Sequence, residues 1–345
     1  MHKPVVAVVV LNFNGKKLLQ QFIPAISKYS QNASVYVIDN ASTDDSVNFL
    51  KKEFPQIKNI LLENNYGFAQ GYNEGIKQIE ADYFILINSD VEVTANWIEP
   101  VIDLMENDKT IAACQPKILS FTNKDEFEYA GACGGFIDKY GYPFCRGRIF
   151  GTLEKDKGQY NTTEEIFWAT GACMFVRASV YNELGGFDKT YFAHMEEIDL
   201  CWRMKNTGYK IMAVPAALVY HVGGGTLNKV SQRKTFLNFR NNLITLTKNY
   251  PNRNWFFVVM VRLFLDGIAG IKFLAEGKPL HTLAVLRAHF VYYFNLPRTL
   301  SERLKMKSHK NYCASFKQIY KGNMVVDYYL RKIKTFSQLN KSRFN

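Results

Sequence analysis

Across the first hundred residues, short aliphatic and β-branched runs alternate with longer amphipathic stretches. The short runs at 5–11, 34–39, 57–62 and 83–88 predict strands, and the stretches around 16–29, 44–53, 69–80 and 97–107 predict helices. Pro24 is expected to begin a fresh turn or to kink the first of these helices. Such alternation is the pattern of consecutive βα units in a parallel sheet. It specifies a doubly wound α/β fold, a class that binds ligands at the carboxyl ends of its strands.

The pattern loosens over 118–165, where Gly134-Gly135, Gly141, Pro143 and a polar stretch from 151 predict loops and short antiparallel strands. Regularity returns at 167–177, with a helix opening near Glu196 and a last strand ending at His221. Beyond about 230 the texture changes to long helical stretches that mix aromatics, aliphatics and Lys/Arg. The stretch 255–275 is nearly apolar but carries Arg262, Asp266 and Lys272, whereas a spanning helix wants roughly 18 or more residues with few or no charges. Arg262 and Asp266 are i,i+4 neighbours, so they share one face and leave the rest apolar, which suits a helix lying in an interface or against a partner. The expected organisation is an α/β domain over 1–228, with halves of about 1–115 and 116–228, and a basic, mainly helical region over 229–345.

Composition narrows the class. With 345 residues, 47% hydrophobic and 21% charged, the chain is globular and not disordered, collagen-like or a disulfide scaffold. Its net charge of +12 averages two unlike parts. Residues 229–345 hold 22 Lys and Arg against 4 Asp and Glu, net +18, and residues 1–228 hold 21 against 27, net −6. A basic segment calls for an anionic partner: nucleic acid, acidic lipid or a phosphorylated substrate. Here the charges are interleaved with apolar and aromatic stretches and no recognised nucleic-acid motif appears, so an anionic membrane surface is favoured and nucleic acid is not expected. A basic subdomain that merely packs on the first domain is the third reading. Six cysteines without a CxxC pair or zinc-like spacing read as reduced thiols of a cytosolic protein, on the inner face of the membrane if the basic segment docks there. The apolar N-terminal run is too short for a signal peptide and reads as a buried strand.

Candidate chemistry clusters at predicted strand ends. Asn12-Phe13-Asn14-Gly15 follows the first strand, and Asp39-Asn40-Ala41-Ser42-Thr43-Asp44-Asp45 follows the second. Asp39 ends an apolar strand, where it either accepts a hydrogen bond from a ligand N–H, as a pyrimidine N3 supplies, or starts an Asx turn; Thr43 to Asp45 read as the cap of the next helix. In the segment from Asn65 to Gly75, Gly67 and its companions allow close backbone approach, and Asn65 and Asn73 add polar contacts; a plain turn is the alternative. In Ile87-Asn88-Ser89-Asp90 the period of two puts Asn88 and Asp90 on one side as the strand emerges. That pair suits a hard cation that takes one or two protein ligands and completes its shell with phosphate oxygens and water; a turn-initiating Asp is the bland reading. Farther on, Glu196 and Glu197 open a helix. Glu197 shares a face with Leu200 and Cys201, where an acid is unfavourable unless used, so it is the first candidate for a general base and Glu196 the second. Helix-dipole stabilisation of two acids is the competing account. His221 is followed by Gly223-Gly224-Gly225-Thr226, which predicts a mobile or ligand-hugging loop.

The ordered set VVVLNFNG, VIDNASTDDS, NNYGFAQGYNEG, ILINSDVEV, ATGACMFVR, GGFDKTYFAHMEEIDLCWRMKNTGY and VYHVGGG resembles bacterial family 2 glycosyltransferases of the GT-A fold, in the rhamnosyltransferase-like branch. It covers most of 5–225 and ends there, with RNN at 240–242 the last echo. The resemblance implies a Rossmann-like, mostly parallel sheet with helices on both faces, and a metal-dependent, inverting transfer from a UDP- or dTDP-sugar to a saccharide or lipid-linked acceptor. It implies that Asp39 binds the pyrimidine, that Asn12, Asn65, Gly67 and Asn73 line the nucleotide pocket, and that Asp90, last residue of a DxD motif whose first position is Asn88, binds Mg²⁺ or Mn²⁺. It further implies that His221 contacts metal or diphosphate and that Glu197 stands where the family usually has an Asp as base. Trp168 and Gly171, ahead of the acid pair, are expected to border the acceptor, with the Trp face against a sugar ring; core packing of Trp168 is the equal alternative. A sugar nucleotidyltransferase is the alternative enzyme, but NFNGKK is a poor triphosphate loop.

Overall fold

In the computed structural model, residues 3–223, 231–251, 253–315 and 317–344 are described. The chain opens as β1 (Val6–Asn12), α1 (Lys16–Tyr29), β2 (Ser34–Asp39), α2 (Ser46–Glu53), β3 (Lys58–Leu61), α3 (Gly67–Ile76), β4 (Tyr83–Asn88), β5 (Val91–Val93), α4 (Glu99–Asn107) and β6 (Ile111–Ser120). Then come five short strands, β7 (Gly135–Asp138), β8 (Pro143–Cys145), β9 (Arg148–Ile149), β10 (Thr152–Leu153) and β11 (Glu164–Glu165). These lead to β12 (Cys173–Arg177), α5 (Ala178–Glu183), α6 (Glu196–Asn206) and β13 (Lys210–His221). The remainder is α7 (Gln232–Asn249), α8 (Trp255–Ala275), α9 (Pro279–Lys307), β14 (Ile319–Tyr320) and α10 (Met324–Tyr329).

The main sheet runs β11-β13-β6-β12-β4-β1-β2-β3, with β5 paired to β13. It is parallel across β4, β1, β2 and β3, whereas β12 runs antiparallel to both β4 and β6. The period of two sorts each strand between two cores. Val8, Val10, Ile85 and Ile87 face α1, α2 and α4 through Leu19, Ile23, Leu50 and Val101. Ala7, Val9, Phe84 and Leu86 face the opposite side, with Tyr72 of α3, Tyr181 of α5 and Leu200 of α6. Helices therefore cover both faces, as the doubly wound reading requires. The first helix runs unbroken through Pro24, contrary to the expected restart or kink; the proline is exposed, so the carbonyl it leaves without a backbone donor can meet water.

The irregular middle of the chain forms a second sheet, β10-β9-β8-β7-β14, antiparallel except where β14 joins β7. Because β14 comes from the C-terminal region, the boundary expected at 228/229 is not a packing boundary. The core that holds Ala7 and Val9 also holds Leu243, Ile244, Ile319, Tyr320 and Leu339. Polar ties reinforce it: Asp199 of α6 pairs with Lys248 of α7 at 2.7 Å and accepts from Asn249 Nδ2 at 2.7 Å. All six cysteines are free thiols.

Among the described residues, no helix is long and apolar enough to cross a membrane. In α8 the charged pair turns inward: Arg262 Nε lies 2.8 Å from Asp266 Oδ1, both buried, and the guanidinium stacks 3.8 Å from the centre of the Tyr142 ring. The opposite face of α8 is apolar and exposed.

Candidate functional site

Parallel pairing aligns the strand ends. In register, Asn12 of β1 stands beside Asp39 of β2, and Leu11 beside Asn88 of β4. The loops that follow are therefore neighbours. Asn12 Nδ2 donates to Asp39 Oδ2 at 2.9 Å, and Ser42 N–H donates to Asp39 Oδ1 at 2.8 Å, so the Asx turn forms and both carboxylate oxygens are already engaged. Asn12 Oδ1 is buried without a partner, and Gly15 is needed beside it, since a Cβ there would meet that oxygen at 2.4 Å. Asp44 and Asp45 behave as capping and ion-pairing residues, Asp44 accepting from Lys16 N–H at 3.0 Å and Asp45 pairing with the Lys16 ammonium at 2.6 Å.

Asn65 accepts from Asn40 Nδ2 at 3.0 Å and from Gly67 N–H at 2.9 Å, which shapes the loop into α3. Gly67 has φ +75°, and a Cβ there would strike the Phe192 ring at 2.7 Å, so both its conformation and its contact favour glycine. Asn73 lies one and a half turns into α3, where its amide donates to Phe187 O at 2.7 Å and accepts from Tyr181 Oη at 2.7 Å and Phe187 N–H at 3.0 Å. It staples the 181–187 turn, which corrects the expectation that it lines the nucleotide pocket.

Asp90 emerges just past β4 and is buried against the end of β13, where Val91 pairs with His221. His221 Nε2 lies 3.1 Å from Asp90 Oδ1, and its Nδ1 lies 3.0 Å from Glu128 Oε2. Burial pushes the Asp90 pKa up, but the His221 hydrogen bond and charge and the Gly223 N–H outweigh it, so the carboxyl is held below its ordinary value. Burial opposes charge on His221 as well, yet the two carboxylates win and raise its pKa to about 10. Glu128 was not foreseen; it sits in a turn with no motif around it. Gly224, Gly225 and Thr226 of the expected glycine loop lie outside the described residues.

One ionised buried carboxylate with the half-buried Asn88 amide fits a hard divalent cation whose shell is completed by phosphate and water; His221, held as an imidazolium between two carboxylates, would have to lose its proton before it could ligate. Among the described residues no group of three His, Cys, Asp or Glu side chains is placed to hold a metal by itself.

The acids of α6 reach the same edge. Ala172, just before β12, accepts from Asn88 N–H at 3.0 Å, and a Cβ on Gly171 would lie 3.2 Å from the Phe68 ring and 3.9 Å from Glu197 Cβ. Glu197 is half-buried and Glu196 buried, and each has an Oε2 sealed from water without a partner. Burial pushes both carboxyls up, and on Glu196 the neighbouring Glu197 charge adds to it. Asp199, one turn on, is the opposite case: it is tied to Arg203 at 2.9 Å as well as to Lys248. The helix dipole alone would treat the three acids alike; their different partners set Glu196 and Glu197 apart from Asp199. Trp168 takes the core-packing alternative. Its ring is 3% exposed, packed on Gly135, with Nε1 donating to Phe136 O at 3.0 Å, and a sealed indole has no face to offer a sugar.

Three residues before α6, Phe192, His194 and Met195, take left-handed φ of 59°, 68° and 75°. Asn241 of α7 holds this segment by donating to the carbonyls of Tyr191, Ala193 and His194 at 3.2, 3.0 and 2.7 Å. Arg240 adds bonds to Thr190 O at 2.9 Å and Tyr191 O at 3.2 Å. Local chemistry disfavours such φ angles, so the clamp supplies what the segment lacks. The RNN at 240–242 was the sequence signal for it.

An α/β sheet with helices on both faces thus gathers polar loops on one strand edge, with the acids of α6 close by. The profile of glycosyl transferase family 2 matches residues 7–185, and the chain belongs to that family; the match ends before α6. The sugar nucleotidyltransferase alternative is thereby set aside. Among curated relatives, the chain is similar to N-acetylglucosaminyl-diphospho-decaprenol L-rhamnosyltransferase of Mycobacterium tuberculosis, 26% identical over 63% of this chain and 76% of the relative. It is also similar to rhamnosyltransferase WbbL of Escherichia coli K12, 25% identical over 45% of this chain and 61% of that one. Among solved structures, GalNAc-T7 with UDP, GalNAc and Mn²⁺ aligns with a TM-score of 0.58 at 14% identity, over 86% of this chain and 57% of that one. The mannosyltransferase PcManGT of Pyrobaculum calidifontis, in complex with GDP-Man and Mn²⁺, aligns with a TM-score of 0.51 at 14% identity, over 85% and 88%. These two likenesses show the GT-A-like fold.

Proposed function

We propose that the protein transfers a sugar from a UDP- or dTDP-sugar to a hydroxyl of a saccharide carried on a lipid, with inversion at the anomeric carbon, working from the cytoplasmic face of an anionic membrane. The observation that carries this reading is the pair of unpartnered carboxylates at the start of α6, set against Gly171 beside the strand edge that holds Asp90. The relatives' named activities, rhamnosyl transfer in both cases and a diphospho-decaprenol acceptor in one, support the acceptor class.

In this reading Asp39 and Asn12, with Asn65 and Gly67, form the wall against the base, and Gly171 leaves room for the acceptor. Asp90, with Asn88 and His221 beside it, would hold Mg²⁺ or Mn²⁺, which when bound neutralises the charge that grows on the departing diphosphate. Glu197 takes the acceptor proton as that oxygen forms its bond to the anomeric carbon, and the bond to the nucleoside diphosphate breaks on the opposite face. Its raised pKa suits a base that must hold this proton at neutral pH. Burial keeps Glu197's carboxyl from ionising too readily, and Glu196, more deeply buried and raised further by the Glu197 charge, stays protonated beside it.

The test is a panel of UDP-, dTDP- and GDP-sugars, scored by nucleoside diphosphate release with Mn²⁺ and after chelation. Release from a pyrimidine-nucleotide sugar, lost on chelation and restored by Mn²⁺, is the expected result. Release of pyrophosphate, or no release from any donor, would sink it.

A further inference from the structure

Helices α8 and α9 form an antiparallel pair whose polarity is inverted. Arg262 and Asp266 point into the protein, while Phe257, Phe264 and Ile271 on α8, and Leu283, Phe290 and Phe294 on α9, point out. Spacings of seven residues keep Phe257, Phe264 and Ile271 on one line, and Leu283 and Phe290 on another. The exposure is large: 70% for Phe264, 72% for Phe290 and 85% for Phe294. Soluble surfaces scatter such side chains singly, and a contiguous array of them marks a surface built to be covered.

We propose that this face of α8 and α9 inserts into the headgroup and upper acyl region of an anionic bilayer leaflet, lying in the plane of the membrane. Two observations choose lipid over a second copy of the chain. Residues 229–345 carry net +18, so two copies meeting on this face would bring like charge to like charge, whereas anionic headgroups neutralise it. The Arg262–Asp266 pair is buried away from the face that meets hydrocarbon, and Lys272, the remaining charge of α8, is exposed near its end, where a long side chain can reach a headgroup. No described helix can span the bilayer, so the contact is interfacial. The surface is coupled to the site, because α9 reaches Asp188 through Arg298 at 3.1 Å and α7 grips the 190–194 carbonyls. A membrane plane set by α8 and α9 therefore fixes where a lipid-borne acceptor meets Glu197. The inference rests on the reading of the acceptor as lipid-linked.

The experiment is flotation of the full chain with phosphatidylcholine vesicles containing about a third phosphatidylglycerol, beside pure phosphatidylcholine vesicles. The wild type is expected to float with the anionic vesicles, and the double variant Phe264→Asp/Phe290→Asp to bind them roughly a hundredfold more weakly, with unchanged melting and unchanged donor turnover. A conservative variant, Phe264→Trp, gains fluorescence that brominated phosphatidylcholine quenches beyond the wild-type signal. Three results overturn the proposal: wild-type protein that stays unbound, equal flotation of the double variant, or added fluorescence in the Phe264→Trp variant that brominated lipid leaves untouched. So does a wild-type dimer in light scattering that the double variant splits without lipid. Vesicle binding as described in a protein that turns over no sugar donor supports this surface while refuting the transferase reading.

Discussion

The strand edge and the α8–α9 pair depart from ordinary surface and core rules in opposite directions. At the edge, Glu196 and Glu197 have carboxylate oxygens buried without partners. On α8 and α9, large apolar side chains face outward while an ion pair is buried beneath them. Either arrangement raises the free energy of the isolated chain, and a substrate or a lipid surface would remove the penalty. Asp199 and the residues of β1 and β4 show how the same protein treats acids and apolar groups that have no such outside partner: it pairs the first and buries the second.

The largest effect that can break this comparison is at Glu197. Glu197→Gln should lower turnover by about a thousandfold, as removal of a general base does, while calorimetry finds donor binding retained. Because burial disfavours the charged form, the same variant should melt higher than wild type above neutral pH; a lower melting point would mean that the acid is structural. Next is the buried pair of α8. Arg262→Ala leaves Asp266 buried and uncompensated and should destabilise the fold by about 3–5 kcal/mol in denaturant titrations, whereas Arg262→Met with Asp266→Leu should recover most of it. Asn241→Ala removes a donor from three carbonyls, of which Tyr191 O keeps Arg240. A loss of about 1–3 kcal/mol of local stability is expected, seen as faster amide exchange at 191–195 and lower kcat with donor affinity kept. The smallest effect is in the pH profile. Turnover requires ionised Glu197, so it should fall as pH drops through that raised pKa; stability should run the other way, declining as pH rises through it. A rate that is flat from neutral pH down to the ordinary carboxylate range would remove the base assignment.

Legibility differs along the chain for a physical reason. The strands and helices of the first 110 residues were readable because burial on both faces writes itself as continuous aliphatic runs, and β1 to β4 fall within a residue or two of the expected limits. Of the site residues, Asp90 and Glu197 stand out in the sequence as acids in apolar surroundings. Glu128 does not, because it meets His221 only through the pairing of β13 with β6 and the turn that follows β6. Trp168, for which the sequence left core packing and an acceptor contact open, and Asn73 took their contacts for a related cause. Residue type announces what a side chain can bind, but which neighbour occupies it is settled by contacts far away in sequence, Phe136 and Gly135 for one and Phe187 for the other.

By itself the sequence determined the α/β class, the family, the strand edge on which the polar loops gather, and the uneven charge of its two parts. Each is carried by local pattern, because hydrophobic period, loop chemistry and charge are properties of neighbouring residues. Only the tertiary structure decided that the basic region is no appendage. Its β14 completes the second sheet, its Asn241 holds the left-handed segment before α6, and α8 turns its charges inward. Which face of a helix meets protein depends on what packs against it, and that is fixed only when distant segments share one core.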